Sequence, residues 1–387
     1  MALWDELTGQ QHAIAVFESA VLASSVGGSD DSAMTHSWLI TGPPGSGRSN
    51  LAFAFAAALL SNGNDTDGVV QRQVNARTHP DLGVLSTDRV IISIDEVRQL
   101  VTTSQFSPSV GRYRVMIIED ADRMTERTSN VLLKALEEPP PRTVWILCAP
   151  SEADLIPTIR SRVRSVQLRV PSVDDVADLI ERRDGVNHEL AISAAREAQS
   201  HIGMAHRLAT NAEARERRAR TLELALGIHS VRAAVLAAAA LLELASDDAK
   251  AITEERDAEE REGTLRSLGI EPGGTIPPAL RAQLKNLEDD QKRRATRSLR
   301  DGIDRILVDL LSLYRDILMI QLGVDGESIN LAIRAELLAA AALATAPQTL
   351  ATMDAIGTAR RRIDQNVAPA LALEAMLVSA IRMGQAR

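Results

Sequence analysis

The sequence predicts an α/β region built on a parallel sheet, then an all-α region. Three observations lead there. Short runs of apolar and β-branched residues alternate with helical patterns over residues 1–168, the order expected of parallel strands joined by helices on both faces. One strand-to-helix junction carries "GPPGSGRS" (42–49), a glycine-rich loop of the kind that cradles phosphate. Beyond Pro171 no convincing strand appears.

The first predicted strand is 37–41, and the glycine-rich loop leads into a helix beginning near Ser49. Residues 61–78, "SNGNDTDGVVQRQVNART", are polar without clear period and read as a surface excursion. "VIISI" (90–94) reads as a strand, with a helix starting at Asp95. "RVMIIED" (114–120) and "TVWILCA" (143–149) are apolar runs of the kind found in strands covered on both faces. Between them a helix places Val131, Leu132, Ala135 and Leu136 on one stripe, and Pro139 to Pro141 stop it. Ser172 precedes an acidic first turn, a good helix start. Residues 173–212 then make a small helical unit and 213–387 a larger one. Inside the latter, residues 253–280 interrupt with charge, glycine and proline. They read as an exposed connector, or alternatively as a long solvated helix.

Composition narrows the function. At 387 residues the chain exceeds one compact core. A net charge of −9 argues against a surface that is mainly a nucleic-acid footprint, and 2% aromatics against a base-stacking platform. The single cysteine, Cys148, allows neither a disulfide nor a thiolate zinc site, and reads as a small buried hydrophobe. The opening "MALWDELTGQ" lacks the regions of a signal peptide, and the apolar runs fall short of the ~20 residues of a membrane span. A cytoplasmic protein without membrane partners is expected.

Three constellations carry chemistry. In the loop Gly42, Pro43, Pro44, Gly45, Ser46, Gly47, Arg48 and Ser49, glycines let backbone N–H groups converge on phosphate oxygens and the following helix adds partial positive charge. Ser49 would ligate magnesium, but Arg48 stands where such loops carry lysine, and a planar guanidinium does not fill an ammonium's slot. At the end of the second apolar run the order is Glu119 then Asp120, the reverse of the Asp-then-Glu pair that orients magnesium and polarises water. Each carboxylate is thereby displaced by about 1.5 Å. The plainer alternative is that both residues merely end a strand. In "PTIRSRVR" (157–164), Arg160 and Arg162 flank Ser161 and cannot share one helical face. One of them could project to a neighbour's nucleotide as an arginine finger, or be an ordinary surface arginine.

Together these residues resemble the clamp-loader branch of the AAA+ ATPases, over nearly the whole chain. "LWDELTGQQ" (3–11) is similar to that family's opening box, and "VLLKALEEPPPRTVWIL" (131–147) is a highly specific match. "LIPTIRSRV" (155–163) resembles its Ser-Arg-Cys motif with Val163 replacing cysteine, and "NVAPALALEAMLVSAI" (366–381) its last collar helix. The resemblance implies an AAA+ nucleotide-binding-like domain over 1–170, a three-helix lid over 171–212, and a helical collar over 213–387 with a charged connector near 253–290. It implies a subunit of a DNA polymerase III clamp loader, partnered by gamma/tau ATPase subunits and a delta subunit. Through that assembly it implies a sliding clamp and primer-template DNA. It makes Arg162 a finger acting in trans.

Departures from the family point to a worn site. Ala149 replaces a γ-phosphate sensor, and the sensing arginine of the lid falls on His206, with Arg207 one position out of register. Residues 61–78 lack the cysteines of the family's zinc module, although "HPD" survives at His79 to Asp81. The expectation is at most weak ATP or ADP binding, magnesium only alongside nucleotide, no zinc, and little or no hydrolysis by this chain alone. The rival readings are an autonomous AAA+ ATPase and a purely structural ring subunit.

Overall fold

A computed structural model describes residues 4, 7–26, 34–63, 65, 67–87, 90–267 and 281–381. It divides the chain into two compact units, Met1–Thr210 and Asn211–Arg387.

The first unit is organised by five parallel strands: β1 (Ser37–Thr41), β2 (Leu82–Leu85), β3 (Arg114–Ile118), β4 (Thr143–Ala149) and β5 (Arg164–Gln167). Their spatial order is β2-β3-β4-β1-β5. Side chains alternate across the sheet. Trp38, Ile40, Val115, Ile117, Val144, Ile146 and Cys148 enter a core with α1 (Gln11–Val26) and α2 (Arg48–Leu60). Leu39, Met116, Ile118, Trp145, Leu147 and Ala149 face the other way, onto α4 (Ile94–Ser104) and α5 (Glu126–Glu137). Burial on both faces explains why the central strands read as continuous apolar runs. Phe17, Trp38 and Phe55 form one aromatic cluster, with ring centroids 4.3 to 5.5 Å apart.

The expected α/β region followed by helices is what folds; several element assignments are corrected. Residues 90–94 are not a strand. Ile92 makes only an isolated bridge to Met124, and Ser93 caps α4 in a capping box with Glu96. The strand beside β3 is β2, only four residues, which include Gly83 and bury one face. The short β5 likewise escaped the sequence reading. Within the supposed polar excursion 61–78, α3 (Val69–Asn75) forms and buries Val74. The short α6 (Pro157–Arg160) follows β4, and three longer helices complete this unit: α7 (Val173–Asp184), α8 (His188–Glu197) and α9 (Ile202–Thr210). Ser172 caps the first of them with Asp175.

The second unit is entirely helical among the described residues: α10 (Ala212–Leu226), α11 (Val231–Ser267), α12 (Arg281–Leu322), α13 (Arg334–Leu343), α14 (Ala346–Asp364) and α15 (Pro369–Ser379). The connector reading fails for 253–267 and 281–290, which extend the two longest helices. Arg294 reaches Asp257 at 2.6 Å, Arg261 reaches Glu288 at 3.1 Å, and Gln291 donates to the Asp257 carbonyl at 2.9 Å. The charges that suggested a loop thus lace α11 to α12. Residues 268–280 lie outside the described set. No helix among the described residues is long and apolar enough to cross a membrane.

Candidate functional site

The glycine-rich loop follows β1 and ends at the N-terminus of α2. Gly45 and Gly47 take left-handed φ values of 79° and 91°, which glycine adopts without steric cost. At Gly42 a Cβ would lie 2.8 Å from the Leu168 Cβ, so the loop packs against the chain leaving β5. Two polar atoms here are buried without a hydrogen-bond partner in the chain, Ser46 Oγ and Arg48 Nη1. Orphaned donors beside a 13-residue helix's N-terminus fit an anion. Pro43 and Pro44 are exposed, and Ser49 is half-buried in the first turn of α2.

The carboxylates beyond β3 come close to Arg48. Arg48, Glu119 and Asp120 all lie within electrostatic reach of Cys148, whose thiol is pushed far up by burial. Asp122, not singled out from the sequence, belongs to this group. Burial raises its pKa, Asp120 adds to the rise, and Arg123 and Arg48 oppose it. Glu119, however, is engaged: Arg77 Nη2 sits 2.6 Å from its Oε1, and the Glu119 side chain is only 12% exposed. Arg77 is further held by the Ser86 hydroxyl at 3.1 Å and by the Phe53 ring, 5.5 Å from its guanidinium carbon. Asp120 faces Arg123 at 4.0 Å. Glu119 is thus held by the chain's own Arg77, whereas Asp120 has Arg123 only at 4.0 Å.

The Ser161–Arg162 turn follows the short helix α6 (Pro157–Arg160). Arg162 donates through Nε to Glu137 Oε1 at 2.6 Å, with Nη2 on the same oxygen. Its Nη1 donates to the Thr158 carbonyl at 2.7 Å and the Ser161 hydroxyl at 3.1 Å. Arg160 and Ser161 are exposed. Register locates this turn. Arg164 pairs with Trp38 in a parallel ladder, so the turn just before β5 lies at the end of the sheet where β1 begins, whereas the phosphate loop leaves the other end. From Trp38, level with Arg164, to Gly42 is four steps at ~3.3 Å, so the turn and the loop lie at least about 13 Å apart along the strand direction.

In α9, His206 Nδ1 meets Asp184 Oδ2 at 2.7 Å. Burial would raise the pKa of Asp184, but hydrogen bonds from Arg183 and His206 outweigh it and hold the carboxyl low. His206 is thus committed to a local pair, and Arg207 is half-buried beside it. Arg77 escaped the sequence reading because it lies 42 residues from Glu119 in a stretch with no motif. Glu137 could have been found, since it stands inside the specific "ALEEPPP" match.

Comparison with known proteins places the first unit. A family model described as DNA polymerase III, delta subunit, matches residues 21–172. The DNA polymerase III subunit delta' of Pseudomonas aeruginosa is 33% identical over 169 residues, 42% of this chain and 45% of that protein. The subunit gamma/tau of Mycobacterium tuberculosis is 29% identical over 175 residues, 44% of this chain and 29% of that protein. The chain thus spans about half the length, or less, of the curated relatives it matches. Among solved structures, a DNA polymerase III gamma subunit-related protein of Thermotoga maritima aligns at TM-score 0.43 and 17% identity, covering 97% of this chain and 99% of that one. Over residues 21–172 the chain is similar to the clamp-loader subunits of DNA polymerase III, and it is delta-prime-like.

Proposed function

We infer that this chain serves as the delta-prime-like subunit of a DNA polymerase III clamp loader. In that role it supports placement of a sliding clamp on primed DNA, beside gamma/tau ATPase subunits and a delta subunit. Its own phosphate loop hydrolyses ATP feebly or not at all, and Arg162 acts on the nucleotide of a neighbouring ATPase subunit. The observation that carries this reading is the separation of the Ser161–Arg162 turn from the chain's own loop by the length of β1. An arginine so placed cannot reach phosphates held at Gly42–Ser49 of the same chain; to act on a neighbour's phosphates it would exchange its hydrogen bonds to Glu137 for them. The Arg77–Glu119 pair supports the other half, because a carboxylate held by a guanidinium does not polarise water. Ser46 Oγ and Arg48 Nη1 are the groups that would receive a phosphate once one gains access to the loop. At the neighbour's site the bound nucleotide supplies the phosphoryl group. Arg162 would place positive charge on oxygens that gain negative charge during transfer.

The test is a reconstituted loader containing the Arg162→Ala chain. Hydrolysis at the neighbouring site should fall on the order of 10³-fold, lowering the loader's DNA-stimulated ATPase while the complex still elutes intact. Unchanged turnover in an intact complex would refute the finger. Steady hydrolysis by the isolated wild-type chain would favour an autonomous ATPase instead.

A further inference from the structure

The turn between α8 and α9 lies on the phosphate loop. An ideal Cβ on Gly45 would stand 2.2, 2.3 and 2.5 Å from Cγ, Nδ1 and Cδ2 of His201, so the imidazole rests directly on the backbone at the loop's apex. The Ile202 amide donates to the Gly45 carbonyl at 3.2 Å. On the next glycine, a Cβ at Gly47 would find Leu7 Cδ2 at 3.7 Å and Ile202 Cδ1 at 3.9 Å, and both of those side chains are buried. On the Cβ side of Gly45 and Gly47 the loop is thus covered by side chains of the same unit.

The turn is built to hold this position. Gln199 and Ser200, neither of them glycine, both take left-handed φ, 50° and 63°, an uncommon conformation that persists where surroundings dictate it. His201 then caps α9. Its carbonyl accepts from Ala205 at 2.9 Å, and its Nδ1 accepts from the Met204 amide at 3.2 Å. The cap fixes the imidazole as an acceptor at Nδ1, with the Cγ, Nδ1 and Cδ2 side of the ring against Gly45. Gly45 is required twice over, for its φ and for the room it leaves the ring.

We propose that His201 is an internal stopper on the phosphate loop: it holds the loop in its present shape and excludes nucleoside phosphates until the 199–202 turn withdraws. Weak nucleotide affinity then follows from a removable side chain as well as from Arg48. The inference does not depend on the clamp-loader role, because it concerns the isolated chain and its own loop.

The test titrates a fluorescent ADP analogue with magnesium into the full-length wild type and His201→Ser. Serine retains an N-cap acceptor for the Met204 amide and removes the ring. His201→Ser should bind about tenfold more tightly or better, with circular dichroism and melting matching the wild type. Equal affinities in the two folded proteins, or no binding by His201→Ser at millimolar ligand, would overturn the proposal. A second measurement needs no variant. Where ADP is driven onto the wild type, hydrogen exchange at the Ile202 amide should accelerate as its bond to Gly45 is given up. Bound ADP with unchanged exchange over residues 199–204 would equally overturn it.

Discussion

Replacing Asp81 with asparagine should destabilise the first unit by about 3–5 kcal/mol. The Asp81 side chain is fully buried where the chain enters β2. Its Oδ1 accepts from the Ser109 amide at 2.6 Å, the Ser109 hydroxyl at 2.8 Å and Arg114 Nη2 at 3.2 Å. Its Oδ2 accepts from the amides of Val110 at 2.8 Å and Gly111 at 2.7 Å. An asparagine turns one of these oxygens into a donor facing two N–H groups whichever way it is flipped. Losing two hydrogen bonds to a charged acceptor costs roughly 1.5–3 kcal/mol each, and buried Arg114 loses its counter-charge as well. An independent lower figure comes from titration. Burial raises the Asp81 pKa, but the amides of Gly111, Ser109 and Val110 and the Ser109 hydroxyl outweigh it and leave it lowered to about 2. At 1.36 kcal/mol per unit, that is about 2 kcal/mol of stability. It is fully present above the unfolded pKa near 4 and is lost as pH falls toward 2. Urea denaturation followed by tryptophan fluorescence should show the midpoint lowered by about 1–3 M. The variant should also lose the Asp81 share, about 2 kcal/mol, of the wild type's decline between about pH 4 and pH 2, while Asp184 keeps its own. A midpoint within about 0.3 M of wild type, or an unchanged acid profile, would refute the argument.

Two further outcomes follow from the ion pairs. Arg77→Gln leaves the mostly buried Glu119 carboxylate without the Arg77 guanidinium; it should lower stability by about 0.5–1 kcal/mol and move the Glu119 carboxylate resonance in NMR. An unmoved resonance would count against the pairing. In the second unit, Arg218 is buried between Asp309 at 3.1 Å and Asn330 at 2.6 Å, so Arg218→Ala should cost about 3–5 kcal/mol. A loss below about 1 kcal/mol in urea melts would mean the pair is solvent-screened.

The central strands and the loop were legible because their residues are constrained locally. β4 appears over residues 143–149 as its apolar run predicts, since both its faces are covered. The edges were not legible. β2 has four residues with one face half-exposed, and β5 buries only Val166, so neither carries a period long enough to read. The apolar "VIISI" misled because Ser93 competes as a helix cap within the same five residues. The charged stretch after residue 253 misled in the opposite sense, since its partners lie 27 to 37 residues onward in α12. Motif residues were found at the site, but the side chains that restrain them were not. Arg77, Glu137 and His201 meet their targets 42, 25 and 156 residues away in the chain, and only tertiary folding reveals those meetings. The surviving "HPD" proves to be a fold anchor, in which neutral His79 accepts the Asp81 amide at 3.1 Å.

All three tryptophans, Trp4, Trp38 and Trp145, belong to the first unit, while the second has Tyr314 as its sole strong chromophore. Long-wavelength excitation therefore watches the sheet and its loop alone, and helical circular dichroism is weighted toward the other unit. Recorded on one sample, the two signals tell whether the halves melt together or in succession, without labels or truncation.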